Sequence, residues 1–140
     1  MRIVLDTNVL VSGLLSPLNA PGEIVRLVAS GNIRLCFDAR ILTEYRSVLL
    51  RPKFEFEQIH IDALLDQITS TGIRASAQPL KQRLLDRFDE PFLEIALAAG
   101  VKYLVTGNLK HFQSTGTHLV KIISPSNFLE VYRKEYGPKS

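Results

Sequence analysis

The sequence predicts an α/β fold, a three-layer α/β/α sandwich around a central parallel sheet of four to five strands. Three observations carry that expectation. Short runs such as Ile3 to Leu5 and Leu35 to Phe37 are apolar at successive positions, as in strands buried on both faces. The segments between such runs carry apolar residues at helical spacing, bounded by capping residues, prolines and glycines. Strand and helix alternate along the chain, and parallel neighbours need crossovers that cover the sheet with helices.

Ile3 to Leu5 opens the sheet. Pro21 is the first helical residue of a segment that carries Ile24, Val25, Leu27 and Val28 and closes at Gly31. Arg34 to Phe37 is the next strand, which completes a βαβ unit. Asp38 reads as the N-cap of a helix with Ile41, Leu42, Tyr45, Val48 and Leu49 on one face, stopped by Pro52. A further helix runs from about Glu57 to Ser70, with Ile61, Leu64, Leu65 and Ile68 at helical spacing and Gly72 after it, and a shorter one lies around Pro79 to Asp86. Asp89-Glu90-Pro91 begins another, which turns Phe92, Leu93, Ile95, Ala96 and Ala99 to the core and closes at Gly100. Val101 to Val105 and Leu119 to Ile123 are strands, and Ser124-Pro125 starts a last helix to about Glu135. The expected organisation is one domain over residues 1–135 with a polar tail at 136–140, in keeping with the usual domain size of about 100–150 residues.

Composition narrows the function. No apolar run approaches the roughly 18 residues of a membrane span, and the start of the chain, broken at Asp6 and Asn8, makes a poor signal peptide. A cytoplasmic protein is expected. The single cysteine, Cys36, excludes an internal disulfide and sits in an apolar run as a small hydrophobe. Seventeen Lys and Arg against fourteen Asp and Glu leave a net charge of +3, which permits an anionic partner without demanding one. Arg34, Arg40, Arg46, Arg51 and Lys53 fall close together, although a solvated basic face is the ordinary reading of each.

In parallel sheets, ligands bind beyond the carboxyl ends of the strands. The residues there are Asp6-Thr7-Asn8, Asp38 and Thr106-Gly107-Asn108. Asp6 either caps the helix that follows or serves a function; the polar island it forms with Thr7 and Asn8, enclosed by core residues, favours function. Glu44 borders an apolar helical stripe, and Asp89, with Asp86 and Glu90 close by, stands at a helix N-terminus where a carboxylate is ordinarily a cap. Taken together, carboxylates from distant parts of the chain would meet at one edge. A hard divalent cation is the usual remedy for their repulsion, and it would suit hydrolysis of a phosphodiester. A Gly-rich phosphate loop is missing, His60, His111 and His118 lack metal-ligand spacing, and Cys36 has no evident base.

The segments IVLDTNVLVSGLL, ILTEYRSVLLRPKF, DRFDEPFLEIALAAGVKYLVTGNLKHF and IISPSNFLEVY together make the sequence resemble the PIN-domain family, specifically the small prokaryotic subgroup assigned as toxin components of toxin–antitoxin pairs. The resemblance implies that Asp6, Glu44 and Asp89 are the catalytic, metal-binding acids, with Asp86 the alternative to Asp89. It implies Mg²⁺ or Mn²⁺ as cofactor and single-stranded RNA as substrate, cut by an activated water. Asn8 and Thr106 would support the acids. Asn108 stands where many members carry a fourth acid, which weakens the expectation of a second metal ion and of high activity. A cognate antitoxin and a homodimer are implied as partners; the apolar face of the Glu57 to Ser70 helix would serve dimerisation or the protein's own core. Two other readings stay open: a catalytically weak RNA-binding or partner-binding module that keeps the fold, and a phosphate-handling or receiver-type domain, which would want an acid where Asn8 stands.

Overall fold

Five short parallel strands are present in the computed structural model, which describes residues 1–80, 84, 89–112 and 119–137. They are β1 (Arg2–Leu5), β2 (Arg34–Phe37), β3 (Ile73–Arg74), β4 (Tyr103–Val105) and β5 (Lys121–Ile123). The helices among the described residues are α1 (Thr7–Leu15), α2 (Ala20–Ala29), α3 (Ala39–Leu49), α4 (Gln58–Thr71), α5 (Glu90–Ala99) and α6 (Pro125–Tyr136), with 3₁₀ turns at Pro52–Phe54 and Leu109–Phe112.

The strands lie in the order β3-β2-β1-β4-β5, all parallel. From β1 the chain steps outward through β2 to β3, then returns to β4 on the other side of β1 and steps outward again to β5. Crossovers between parallel strands are right-handed almost without exception, so connections running in opposite directions fall on opposite faces of the sheet. The direction reverses between β1 and β4. At such a switch point the connections part, and a crevice opens beyond the carboxyl ends of the two strands. Leu5 pairs with Val105 at that end, so Asp6 and Thr106 emerge side by side.

The core is assembled from the apolar runs and stripes read in the sequence. Ile3, Val4 and Leu5 of β1 and Leu35, Cys36 and Phe37 of β2 are all buried, as strands covered on both faces should be. On one side α2 packs against α4 and α6, while α5 lies against β1, β2 and β4. Ile61, Leu65 and Ile68 of α4 are buried in this core, so most of the face considered for dimerisation is used within the chain. Tyr45 is fully buried on α3, and its hydroxyl donates to the carbonyl of Leu5 at 2.6 Å, tying α3 to the end of β1. Burial, followed by the charges of Asp6 and Glu44, pushes the phenol pKa well above its usual value and keeps it a donor. Tyr45→Phe is expected to cost about 1–2 kcal/mol in urea unfolding, since the Leu5 carbonyl is left without this donor; an unchanged midpoint would show that the bond contributes nothing.

Three differences from the sequence reading have local causes. Residues Thr7–Leu15, read as a polar island followed by more core, form the helix α1. Its stripe is hard to see because Val9, Leu10 and Val11 are consecutive and all buried. β3 is only two residues long, too short for any periodicity to announce it. Leu119 is highly exposed and precedes β5, which starts at Lys121, and β4 starts at Tyr103 rather than at Val101. The helix expected around Pro79 to Asp86 and the end of the polar tail lie largely or wholly outside the described residues.

Candidate active site

Three aspartates occupy helix N-cap positions beside the carboxyl end of the sheet, and only one of them caps. Asp38, before α3, accepts from the amide of Ile41 at 3.0 Å, as its sequence context predicts. It also pairs with Arg40 at 2.7 Å. Asp6, before α1, makes no side-chain capping bond; its Oδ2 instead accepts from the hydroxyl of Thr106 at 2.7 Å, across the switch point. Asp89, before α5, does not cap either, and its Oδ2 lies 3.0 Å from Nδ1 of His111. Of the three, only Asp38 makes a side-chain capping hydrogen bond.

Asp6 is 4% exposed. Burial pushes its pKa above the usual carboxylate value, opposed first by the Thr106 hydroxyl, then by the main-chain amides of Thr7 and Asn8 and by His111. Thr106 is itself fully buried, and its Oγ1 accepts from the amide of Asn108 at 2.9 Å, which leaves its proton directed at Asp6. This chain of bonds holds the Thr106 hydroxyl against the Asp6 carboxylate. Asn108 takes part through its main chain. We expect Thr106→Val to raise the Asp6 pKa further, because a cause of lowering is removed while burial remains. Any activity that needs the ionised carboxylate should then fade at a higher pH than in the parent protein, and identical acid limbs in the two pH profiles would contradict this.

Asp6, Glu44 and Asp89 line one cavity of about 810 Å³ at the switch point, together with Asn8. Glu44 arrives from α3, where Tyr45 faces the core and Glu44 turns toward the crevice; its Oε2 accepts from the hydroxyl of Thr7. The acids near Asp89 are sorted by their partners. Glu90 accepts from the amide of Leu84 at 3.0 Å, and Glu94 accepts from the amide of Leu80 at 3.1 Å and from Arg40 at 2.6 Å, so both clasp the main chain before α5. Asp86 lies outside the described residues.

The donors are carboxylate and amide oxygens, the set a hard divalent cation prefers. Asp6 and Glu44 are nevertheless each held by a neighbouring hydroxyl, of Thr106 and Thr7, while the buried Oδ2 of Asp89 lies near His111 without a hydrogen bond to it. Among the described residues no three acidic, histidine or cysteine side chains are drawn into one ready-made metal cluster. His111 and Arg40 stand in the same cavity as the acids. His111 was set aside for want of ligand spacing. Its position three residues past Asn108, on the 3₁₀ turn after β4, was the available signal.

One wall of the cavity is built from Arg40, Thr43, Glu44, Ser47 and Val48 of α3 and from Arg51 just beyond its end. The helical ones recur at spacings of three and four, a face that borders the buried stripe of Ile41, Tyr45 and Leu49. Reading α3 only for its apolar stripe passes over this second one.

Among the described residues, no helix is long and apolar enough to cross a membrane. An uncharacterized protein of Methanocaldococcus jannaschii, MJ1680, is 26% identical over 145 residues, covering 96% of this chain and 93% of its own length. The family model of the PIN domain matches residues 2–110, a stretch that holds Asp6, Glu44, Asp89 and Thr106. PIN domains are generally nucleases and typically use divalent metals. With a parallel α/β sheet whose switch point carries these acids, and with the family model matching from β1 past the end of β4, the chain belongs to the PIN domain family.

Proposed function

We propose that the protein is a metal-dependent endoribonuclease that cuts single-stranded RNA, with Asp6, Glu44 and Asp89 as its metal-binding and catalytic acids. The observation that carries this reading is the conduct of Asp6: a buried carboxylate with a raised pKa, standing at a helix start without capping it, and aimed by Thr106 into a cavity it shares with Glu44 and Asp89. An Mg²⁺ or Mn²⁺ ion bound by these acids supplies a water of lowered pKa and offsets the charge of the phosphoryl group under attack. The protein's own groups do the rest. Thr106 keeps Asp6 oriented, Thr7 holds Glu44 against the start of α1, and His111 steadies Asp89. Asn8 offers an amide oxygen or hydrogen at the cavity mouth.

In this reading the protein acts in the cytoplasm as the toxin of a toxin–antitoxin pair, restrained by a cognate antitoxin and assembled as a homodimer. The first experiment follows cleavage of an end-labelled single-stranded RNA with Mg²⁺, Mn²⁺ or EDTA, for the wild type and Asp6→Asn. Cleavage that requires both the metal and Asp6 supports the reading, and cleavage by both proteins alike refutes the site. The toxin role predicts growth arrest on induced expression, absent for Asp6→Asn.

The hydroxyls that occupy Asp6 and Glu44, and the amide at position 108, favour one second reading, a module that binds RNA with little or no cleavage. RNA binding without metal-dependent products would select it.

A further inference from the structure

The cavity has three cationic or potentially cationic side chains, Arg40, Arg51 and His111, and two of them are already engaged. Arg40 is paired with Asp38 at 2.7 Å and with the buried Glu94 at 2.6 Å. His111 faces Asp89 at 3.0 Å. Arg46, on another face of α3, is paired with Asp62. Arg51 has no ion pair among the described residues, and neither has Lys53 on the turn that follows it.

That turn is built to hold its shape. Pro52–Phe54 is a 3₁₀ turn closed by the amide of Glu55, which donates to the Pro52 carbonyl at 3.1 Å. Glu55 adopts a left-handed conformation, φ +56°, the only non-glycine among the described residues to do so. An L residue avoids this region unless its surroundings impose it, and such outliers gather where a site needs a fixed geometry. Here the reversal brings Phe56 back to stack on Phe54, with centroids 5.7 Å apart and planes 18° from parallel. Lys53 lies over the Phe54 ring with its ammonium 5.0 Å from the centroid. Stacked rings and a cation–π contact thus hold an exposed lysine close to where Arg51 enters the cavity.

Arg51 stands just past the end of α3, in extended backbone before the 3₁₀ turn, and lines the same cavity as Glu44 seven residues before it. An anion held by Arg51 is therefore displaced toward the C-terminal end of α3 from one lying over the carboxylates. We propose that Arg51 and Lys53 form a subsite for the phosphate backbone of single-stranded RNA flanking the scissile bond, so that the strand is gripped on one side of the cut only. The inference rests on the nuclease reading for its substrate. The one-sidedness comes from the structure, because the cation at the other end of the stripe, Arg40, is already balanced by two carboxylates.

The test measures binding of a fluorescein-labelled single-stranded RNA by anisotropy, in EDTA and over a range of salt concentrations. The wild type is compared with Arg51→Ala, Lys53→Ala, the double variant and, as a control, Arg133→Ala, whose partner Glu23 lies on α2 away from the cavity. Each of the first two changes should weaken binding about three- to tenfold near 0.1 M salt and lower the salt slope by about one, and the double variant by about two. The control should match the wild type. Wild-type affinity and slope in the double variant would overturn the subsite, as would absence of binding by the wild type. Loss of binding as expected, without cleavage in Mg²⁺ or Mn²⁺, leaves the subsite standing and removes the nuclease reading. Cleavage that ignores both substitutions does the reverse.

Discussion

Asp6→Asn is expected to lower RNA cleavage on the order of 10²–10³-fold, the usual cost of removing one group that stabilises charge at a reacting centre, while the metal-free protein becomes more stable. The two effects share one cause. Asp6 is buried, and its folded pKa lies above the ordinary carboxylate value. The folded state therefore binds its proton more tightly than the unfolded chain, and the stability this contributes is fully present below the unfolded pKa. It is lost as pH rises through the raised, folded value. At neutral pH the ionised group thus opposes folding. An asparagine carries no charge to desolvate and can still accept from Thr106 through its carbonyl oxygen. Thermal unfolding in EDTA at neutral pH should show a higher midpoint for the variant, with the gap narrowing as pH falls. Mn²⁺ should raise the wild-type midpoint and leave that of the variant nearly unmoved, because only a ligand that binds the folded state stabilises it. A variant less stable than the wild type at neutral pH would show that the carboxylate is there to hold the fold.

Gly22→Ala is expected to destabilise the protein by about 3 kcal/mol, a large effect for one methyl group. A Cβ at this buried position of α2 would lie 2.1 Å from the carbonyl oxygen of Pro17 and 2.6 Å from its Cα. The obstacle is main chain, so no side-chain rotation relieves it. Gly13 on α1 shows the other half of the same approach, since a Cβ there would meet Val25 of α2 at 2.6 Å and the Pro21 carbonyl at 2.7 Å. Gly13 lets α1 lie against α2 and Gly22 lets the connection at Pro17 fold over the start of α2, and α1 begins at the Thr7 and Asn8 of the candidate site. The melting temperature should fall by roughly 10 °C. Gly107→Ala is the control: its Cβ would enter open space, and its effect should stay within about 0.5 kcal/mol. Equal melting temperatures for the two variants would mean that the α1–α2 connection adjusts freely.

How far the sequence could be read depended on how local each signal was. The capping role of Asp38, the helix start at Glu90-Pro91 and the left-handed stop at Gly100 rest on interactions within a few residues, and each stands in the structure where its residue type placed it. The buried strands and the stripes of α3 and α4 were legible for the same reason, because burial against a sheet imposes its period on the chain. α1 was missed because its buried residues are consecutive, and β3 because two residues have no period.

The site divides along the same line. That the apolar opening run stops at Asp6, and that acids recur at Glu44 and Asp89, is a property of the sequence. Only the tertiary structure decided that β4 lies beside β1, which brings Thr106 across 100 residues to the carboxylate of Asp6. It alone decided that Asp38 caps while Asp6 and Asp89 do not, that His111 faces Asp89, and that Arg40 is neutralised while Arg51 is not. Caps and periodicities are written between neighbours in the chain. A carboxylate's partner is chosen by the order of strands in the sheet, and no short window of sequence contains that order.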